Sequence, residues 1–346
     1  MTALGDGGTV RDDATGGPVA AIDCGTNSIR LLVAVPERVD HPGHPGHPGP
    51  AGAGGTTARL RDLERTMEIV RLGQGVDRTG RLDPAALDRT FAALRRYAVR
   101  VDELGASAVR MVATSATRDA QNADEFVRGV REILGVEPEV ITGDEEAALS
   151  YRGATAGIAD DLAASPRLVV DIGGGSTEVV LGEGPRVRAA RSVDIGCVRM
   201  TERHLASDPP TPDEVARTVA DIDAAITVAA RTVPLDEARS IIGLAGSVTT
   251  VAAIHLGLPT YDPVAIHGHV VPTTAVRAIS DDLVAMTRDE RAAIPVMHPG
   301  RVDVIGAGAL VLRRILERTA LPEVVVSEHD ILDGIAWSLV EQVTQR

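Results

Sequence analysis

Residues 167–182 read RLVVDIGGGSTEVVLG, and they restate an earlier stretch, AAIDCGTNSIRLLVA at residues 20–34. Superposed, Asp23 meets Asp171, Gly25 meets Gly173, Ser28 meets Ser176 and Arg30 meets Glu178, at a constant offset of 148 residues (171 − 23 and 178 − 30). Each copy is an apolar run, a turn of Asp, Gly and small hydroxyl residues, and a second apolar run. That pattern predicts a strand, a tight turn and a returning strand. Such a turn sets backbone N–H groups beside a carboxylate, the combination that a phosphate and its metal ion require. Two of them in two similar halves predict a cleft in which a phosphate is gripped from both sides.

The repeat extends outward from these turns. Strands are expected at 19–22, 29–35 and 66–71 in the first half and at 167–171, 179–181 and 187–192 in the second. The first half continues with a helix at 84–104, with Leu87, Phe91, Leu94 and Ala98 on one face, a strand at 109–113, a helix at 122–134 and a strand at 140–142. The second continues with a helix at 212–232, a strand at 240–244 and a helix at 249–255, and 331–343 reads as a final helix. The duplication therefore covers whole domains, residues 19–143 and 144–330. Residues 331–346 form a C-terminal helix able to return to the first domain, and residues 1–18 a disordered leader. Within the first domain, HPGHPGHPGPAGAGGTT at 41–57 is a low-complexity loop. Its three His could chelate metal; a solvated insertion between strands is the plainer reading.

Composition narrows the function. A chain of 346 residues accommodates two domains with separate cores. Aromatic residues make up only 2%, so the cores must come from aliphatic side chains, and base-stacking nucleic-acid platforms are disfavoured. The sequence has no lysine, which excludes a Walker-type phosphate loop and leaves any cationic grip on phosphate to Arg. A net charge of −14 argues against binding nucleic acid or an anionic membrane. An anionic small-molecule substrate would need local Arg residues or a divalent metal. The two cysteines, Cys24 and Cys197, form no metal-ligand pattern and are expected to be reduced thiols. No transmembrane span or signal peptide is visible, so a cytoplasmic location is expected. A two-fold dimer is compatible with the sequence, but nothing in it demands one.

Four turns face the expected cleft. The first is residues 23–28, with Asp23, Gly25, Thr26, Asn27 and Ser28. The second is residues 114–119, where Ser115 and Arg118 stand between an apolar strand and a helix, a seat for an anion. The third is residues 171–178, whose Gly173, Gly174, Gly175 and Ser176 let the backbone approach an oxyanion while Asp171 and Glu178 can reach a Mg2+ ion. The fourth is Gly246 and Ser247, matching the second in the other half. Between the halves lies TGDEEAAL at residues 142–149. Gly143 is expected to break the chain and Asp144 to cap a helix. Glu145 fits the favourable charge of a first helical turn. Glu146 falls at the domain junction, where a carboxylate can orient or deprotonate a water for in-line attack on phosphorus. His267 and His269, two apart, would share one face of a strand, as structural groups or as phosphate contacts. Arg199 has two readings, a guard at the entrance or a surface ion pair. Arg301 and Asp303 are assigned to inter-domain contacts. The Cys24 side chain is expected to face the core.

These motifs carry a resemblance. IDCGTNSIRLL, TSATRDAQN, ITGDEEAALSYRGA, VVDIGGGSTEVVLG, DIGCVRMTE, GLAGSVTTVAAI, HGH and SEHDILDGIAWSL occur in the order found in the exopolyphosphatase and guanosine pentaphosphate phosphohydrolase family. The resemblance runs from Val19 to the end. It implies an α/β fold of two ribonuclease-H-like domains of the actin, sugar kinase and heat-shock ATPase superfamily, with the active site in the cleft between them. It also implies Glu146 as the catalytic base, Asp171 and Glu178 as magnesium ligands or their supports, Arg30 and Arg118 as phosphate ligands, and Ser28 and Ser176 as turn donors. The cofactor implied is Mg2+, with Mn2+ as an alternative. The substrate implied is inorganic polyphosphate, in short chains because the helical domains of longer members are missing from this sequence. Guanosine pentaphosphate or tetraphosphate is the second candidate, as substrate or inhibitor. A kinase and a catalytically weak polyphosphate or alarmone sensor are the remaining readings. Hinge motion is expected near 142–145 and 327–334.

Overall fold

The computed structural model describes residues 17–40, 56–159 and 162–344. Most of the expected leader and of the His-Pro-Gly loop lies outside these residues, as do residues 345–346. Thr56 and Thr57, expected in that loop, belong to a strand instead.

The first half runs β1 (Val19–Cys24), β2 (Ser28–Asp40), β3 (Thr56–Ile69), α1 (Val76–Thr79) and α2 (Pro84–Glu103). It continues through β4 (Ala108–Ala113), α3 (Ser115–Arg118), α4 (Ala123–Leu134), β5 (Glu139–Val140) and α5 (Gly143–Ala156). The second half runs β6 (Arg167–Ile172), β7 (Thr177–Glu183), β8 (Arg186–Val193), α6 (Cys197–His204), α7 (Pro212–Ala230) and β9 (Ser240–Leu244). Then come α8 (Ala245–His255), α9 (Pro263–Ile266), β10 (Val270–Pro272), α10 (Thr273–Ala285) and α11 (Arg288–Ala292). It ends with α12 (Ile305–Thr319), β11 (Glu323–Val326) and α13 (Ile331–Thr344).

Two sheets carry this chain. The first has the order β3-β2-β1-β4-β5, the second β10-β11-β9-β6-β7-β8. In each, three antiparallel strands adjoin parallel strands reached through helical crossovers: β4 lies parallel to β1, and β9 parallel to β6. The sheets are thus two copies of one ribonuclease-H-like plan, the second extended by β10.

Alternation along the strands sets the two faces of each sheet. On β1, Ala20, Ile22 and Cys24 face α2 and α4, packing with Leu94, Tyr97 and Phe126, while Val19 and Ala21 face α13. On β6, Leu168, Val170 and Ile172 face a core shared with α7, α8 and α12, while Val169 faces α5 through Ala147 and Tyr151. The connecting helices therefore trade places. α5 leaves the first sheet to cover the second, and α13 leaves the second to cover the first with Ile331, Leu332 and Ile335. They cross where both chains are bare: a Cβ at Gly153 would sit 1.7 Å from the Asp330 carbonyl oxygen, and one at Gly334 would sit 2.1 Å from that of Leu149.

Helix ends follow local chemistry. Asp83 caps α2 by accepting from the Ala85 and Ala86 N–H groups with Pro84 at the first helical position, and Thr211 and Glu214 form a capping box on α7. At α5 the structure corrects the sequence. Thr142, expected as the end of a strand, is the cap, its hydroxyl accepting from the Glu145 N–H (3.2 Å), and Asp144 is already helical. Gly143 does not break the chain. It opens the helix, and it is bare because a Cβ there would lie 2.6 Å from Ser192 Cβ. α8 likewise begins at Ala245, four residues before the helix expected at 249–255.

Candidate active site

The two hairpin turns close in the same way. The Gly25 N–H donates to the Ser28 carbonyl (3.0 Å), and 148 residues later the Gly173 N–H donates to the Ser176 carbonyl (3.1 Å). Other carbonyls of the turns face the scaffold. Those of Thr26 and Asn27 accept from Gly73, Val70 and Arg71, and those of Gly173, Gly174 and Gly175 accept from residues 196–199. The N–H groups of Thr26, Asn27, Gly174 and Gly175 have no partner among the described residues. Each turn thus presents donors to the cleft, as an anion-binding nest does.

The turns also touch one another. A Cβ on Gly174 would lie 2.9 Å from Thr26 Cβ, and one on Gly175 would lie 2.5 Å from Ser115 Oγ. Thr26 Oγ1 and Ser115 Oγ are themselves hydrogen-bonded at 2.9 Å. Glycine at both positions lets the second sheet's turn close onto the first. Arg199 holds this closure: Nε donates to the Gly175 carbonyl (2.8 Å), Nη1 to Asp77 (2.5 Å) and Nη2 to Asp119 (2.5 Å). Its side chain is 12% exposed, so it is a largely buried clasp between the halves.

Between the turns lies a cavity of about 100 Å³. Every residue the sequence proposed for the site lines it except Arg118 and Gly175. Gly175 is occupied by the Ser115 contact. Arg118 reaches the site through Glu146, its Nη1 donating to Oε2 (3.2 Å) and to the Ile141 carbonyl (2.8 Å).

The duplication reverses a charge. In cross-strand register Asp23 faces Arg30, and Asp171 faces Glu178. Arg30 donates to Asp23 Oδ2 from Nε (3.0 Å) and Nη2 (2.6 Å), and its Nη1 reaches Asp330. Among the described residues Asp171 and Glu178 instead receive hydroxyls, Ser150 on Asp171 and Ser192 on Glu178, each at 2.7 Å, with Ser176 also bonded to Glu178. Their acidities follow. Burial, then the charge of Asp330, pushes Asp171 up to about 6. Burial, then Asp171, pushes Glu178 up to about 8. Glu146, 7% exposed at the start of α5, is pushed well above the carboxylate range by burial and then by Glu178, against the pull of Arg118. Burial also raises Asp23, with Arg30 opposing it.

This surplus of buried carboxylate fits a divalent cation. Among the described residues Asp23 Oδ1 is buried without a hydrogen-bond partner, and Asp171 and Glu178 adjoin in register with no Arg ion-paired to either. Among the described residues no three acidic, His or Cys side chains converge as a complete ligand set. A divalent ion held by one or two carboxylates is completed by water and substrate phosphate oxygens.

Several residues not assigned to the site from sequence line the cavity: Met67, Ile69, Ala245 and Cys197, together with Arg301, which the sequence assigned to inter-domain contacts. A Cβ on Gly246 would lie 2.2 Å from Arg301 Cζ, which gives that glycine a packing reason of its own. Asp303 does bridge the halves, accepting from Arg71 (2.9 Å). His267 and His269 do not share a strand face. Gly268 between them has φ +77°, which turns the chain, so His267 stacks on His329 (ring centroids 4.6 Å) while His269 meets His255 (2.8 Å). Cys24 is buried in the core of the first sheet.

Residues 52–343 match the Ppx/GppA phosphatase family. The chain is 49% identical over 330 residues to exopolyphosphatase 2 of Mycobacterium tuberculosis, covering 93% of this chain and 98% of that one. The crystal structure of an exopolyphosphatase-like protein superposes with a TM-score of 0.86 at 42% identity, covering 94% and 99% of the two chains. That of the Aquifex aeolicus Ppx/GppA family member gives 0.72 at 30% identity, covering 94% and 98%. In sequence, fold and order of cleft motifs, the chain belongs to the Ppx/GppA phosphatase family.

Proposed function

We propose that this phosphatase is an exopolyphosphatase, releasing orthophosphate from the end of inorganic polyphosphate, with Glu146 as its base. The observation that carries this is a buried carboxylate in one small cavity with two phosphate-type turns. The turns' N–H groups receive the terminal phosphate from both sides. Glu146 accepts the proton of an attacking water, and Arg118 holds its carboxylate in place. The contact of Gly174 and Gly175 with Thr26 and Ser115 excludes bulk water. Asp171 and Glu178 would hold Mg2+, with Mn2+ as an alternative, and the ion would neutralise phosphate charge that the acidic cleft otherwise repels. No helix among the described residues is long and apolar enough to cross a membrane, and both cysteines are free and buried. Both features are compatible with the cytoplasm, where we place the enzyme.

A second reading, hydrolysis of guanosine pentaphosphate, draws on an adjoining cavity of about 450 Å³ with Tyr261, Val296 and Met297 in its wall, surfaces on which a nucleoside would pack. Orthophosphate release with Mg2+ from short polyphosphate, long polyphosphate and guanosine pentaphosphate, measured side by side, ranks the substrates. Preference for polyphosphate supports the proposal, and preference for the nucleotide replaces it. No release from any of the three ends both readings.

A further inference from the structure

Each phosphate turn is held by a segment outside the cavity, and the two segments meet. The first turn gives its Asn27 carbonyl to the Val70 and Arg71 N–H groups (3.1 and 2.9 Å) and its Thr26 carbonyl to the Gly73 N–H (2.8 Å). The second gives its Gly173 carbonyl to the Cys197 N–H (2.9 Å), at the start of α6. Its Gly174 carbonyl accepts from Val198 and Arg199 (2.9 and 3.1 Å). The chain that leaves Gly73 enters α1, and α1 of the first half meets α6 of the second. Asp77 accepts from Arg199 Nη1 (2.5 Å), Arg203 Nε (3.2 Å) and Arg203 Nη2 (2.9 Å). Beside it the Gly75 N–H donates to both carboxylate oxygens of Glu202 (3.2 and 3.1 Å).

Asp77 is the centre of this bridge. Val76 beside it is buried in the core of the first sheet, which fixes α1 to that half. Hydrogen bonds from Arg203 and then from Arg199 hold the Asp77 carboxyl below its usual range, so it is ionised at neutral pH. Ion-paired contacts of this kind are the strong class of hydrogen bond. Arg199 carries the constraint inward, since its Nε donates to the Gly175 carbonyl of the second turn (2.8 Å). Asp77, Arg199, Glu202 and Arg203 line neither cavity, so a substrate held there does not touch them.

We propose that Asp77 is a positioning residue that couples the two phosphate turns from outside the cavity, by holding Arg199 on the Gly175 carbonyl. The inference rests on the phosphohydrolase reading above, since it takes phosphate as the ligand of both turns. Fixing that carbonyl fixes the turn whose Gly174 and Gly175 N–H groups face the cleft. A phosphate gripped by both turns binds the bridged arrangement better than one in which the halves have parted. Bridge and ligand therefore support one another. Without the bridge only a fraction of the molecules is competent, and the apparent affinity falls by that fraction. Saturating substrate restores the competent arrangement, and proton transfer to Glu146 then proceeds as before. The loss falls on KM and spares kcat.

The test compares wild type with Asp77→Asn, Asp77→Glu and Asp221→Asn in the full chain. Asp221 is the partner of Arg203 within the second half (2.9 Å), so its loss leaves the bridge to Asp77 in place. With Mg2+ present, kcat and KM are measured on tripolyphosphate, and tripolyphosphate binding is measured by calorimetry with Glu146→Gln added to each chain to stop turnover. Asp77→Asn is expected to raise KM and weaken binding about tenfold, an ordinary coupling between sites, with kcat and Tm close to wild type. Asp77→Glu keeps the charge and should recover most of the affinity, and Asp221→Asn should stay within about twofold of wild type. Unchanged KM and binding in Asp77→Asn overturn the proposal and leave the proposed function standing. An equal loss in Asp221→Asn also overturns it, because the effect would then belong to α6 alone. If Asp77→Asn does not fold, unchanged binding in Arg203→Gln, which removes two of the three contacts on Asp77, overturns it instead. A wild type that hydrolyses nothing, with tripolyphosphate binding weakened by Asp77→Asn, would sink the proposed function and leave the bridge standing.

Discussion

Among the described residues Glu146 pairs with Arg118 alone, Oε2 to Nη1 at 3.2 Å, and the same nitrogen is anchored by the Ile141 carbonyl at 2.8 Å. Glu146 is held from the side of the first sheet while its helix, α5, covers the second. The proposed base therefore reports on how the two halves sit together.

Removing Arg118 takes away the charge that pulls the Glu146 pKa down. In Arg118→Ala the carboxylate ionises at higher pH. A base must be ionised to work, so the acid limb of the kcat/KM profile should move upward and the rate at neutral pH should fall. An unmoved acid limb would show that another group sets it.

Asp171 and Glu178 give the metal-free protein an unusual pH dependence. Glu178 rises from an ordinary 4.5 to about 8 on folding, and Asp171 from 3.8 to about 6. A raised group binds its proton more tightly in the folded state. Its contribution to stability is complete below the unfolded value and lost as pH climbs through the folded one. With chelator present, Tm should fall between about pH 4 and 8, the range these shifts span, and Glu178→Gln should flatten the fall. Added Mg2+ should raise Tm more at pH 8 than at pH 6. Equal Mg2+ effects at both would remove these carboxylates from the metal site.

Closure depends on two bare positions. In Gly175→Ala the new methyl meets Ser115 Oγ at 2.5 Å and Thr26 Oγ1 at 2.7 Å, which forces the turns apart. Activity should drop at least tenfold while Tm changes little, because the methyl enters the cleft and not either core. Full activity in this variant would mean that the closed contact is dispensable.

The helix crossing is less forgiving. At Gly153 the clash is with the backbone of Asp330, which cannot rotate away, so Gly153→Ala should destabilise the protein by about 1–3 kcal/mol, as overpacking does. Urea unfolding measures this directly. An unchanged midpoint would show that α5 and α13 separate more easily than their packing indicates.

What was legible in the sequence was local or repeated. The hairpins at Asp23 and Asp171 declare themselves through alternation and turn residues, and the 148-residue offset reappears as the same hydrogen bond, Gly25 to Ser28 and Gly173 to Ser176. What was missed has physical causes. α12 is buried along an unbroken run from Ile305 to Leu312, so its first two turns show no helical apolar period. β11, the counterpart of β5, is four residues long and pairs parallel with a strand about 80 residues away, which no local pattern signals. Arg301 gains its place only because Gly246 is bare, and Arg199 becomes a clasp only because Asp77 and Asp119 are brought to it from the other half.

The most direct test is Glu146→Gln, assayed for orthophosphate release from short polyphosphate with Mg2+ and, in parallel, for polyphosphate binding. The substitution keeps the side chain's size and removes its ability to take a proton. Release should fall by about 10²–10⁴, the range of general base catalysis, with binding within a few-fold of wild type. Release near the wild-type rate would contradict Glu146 as the base.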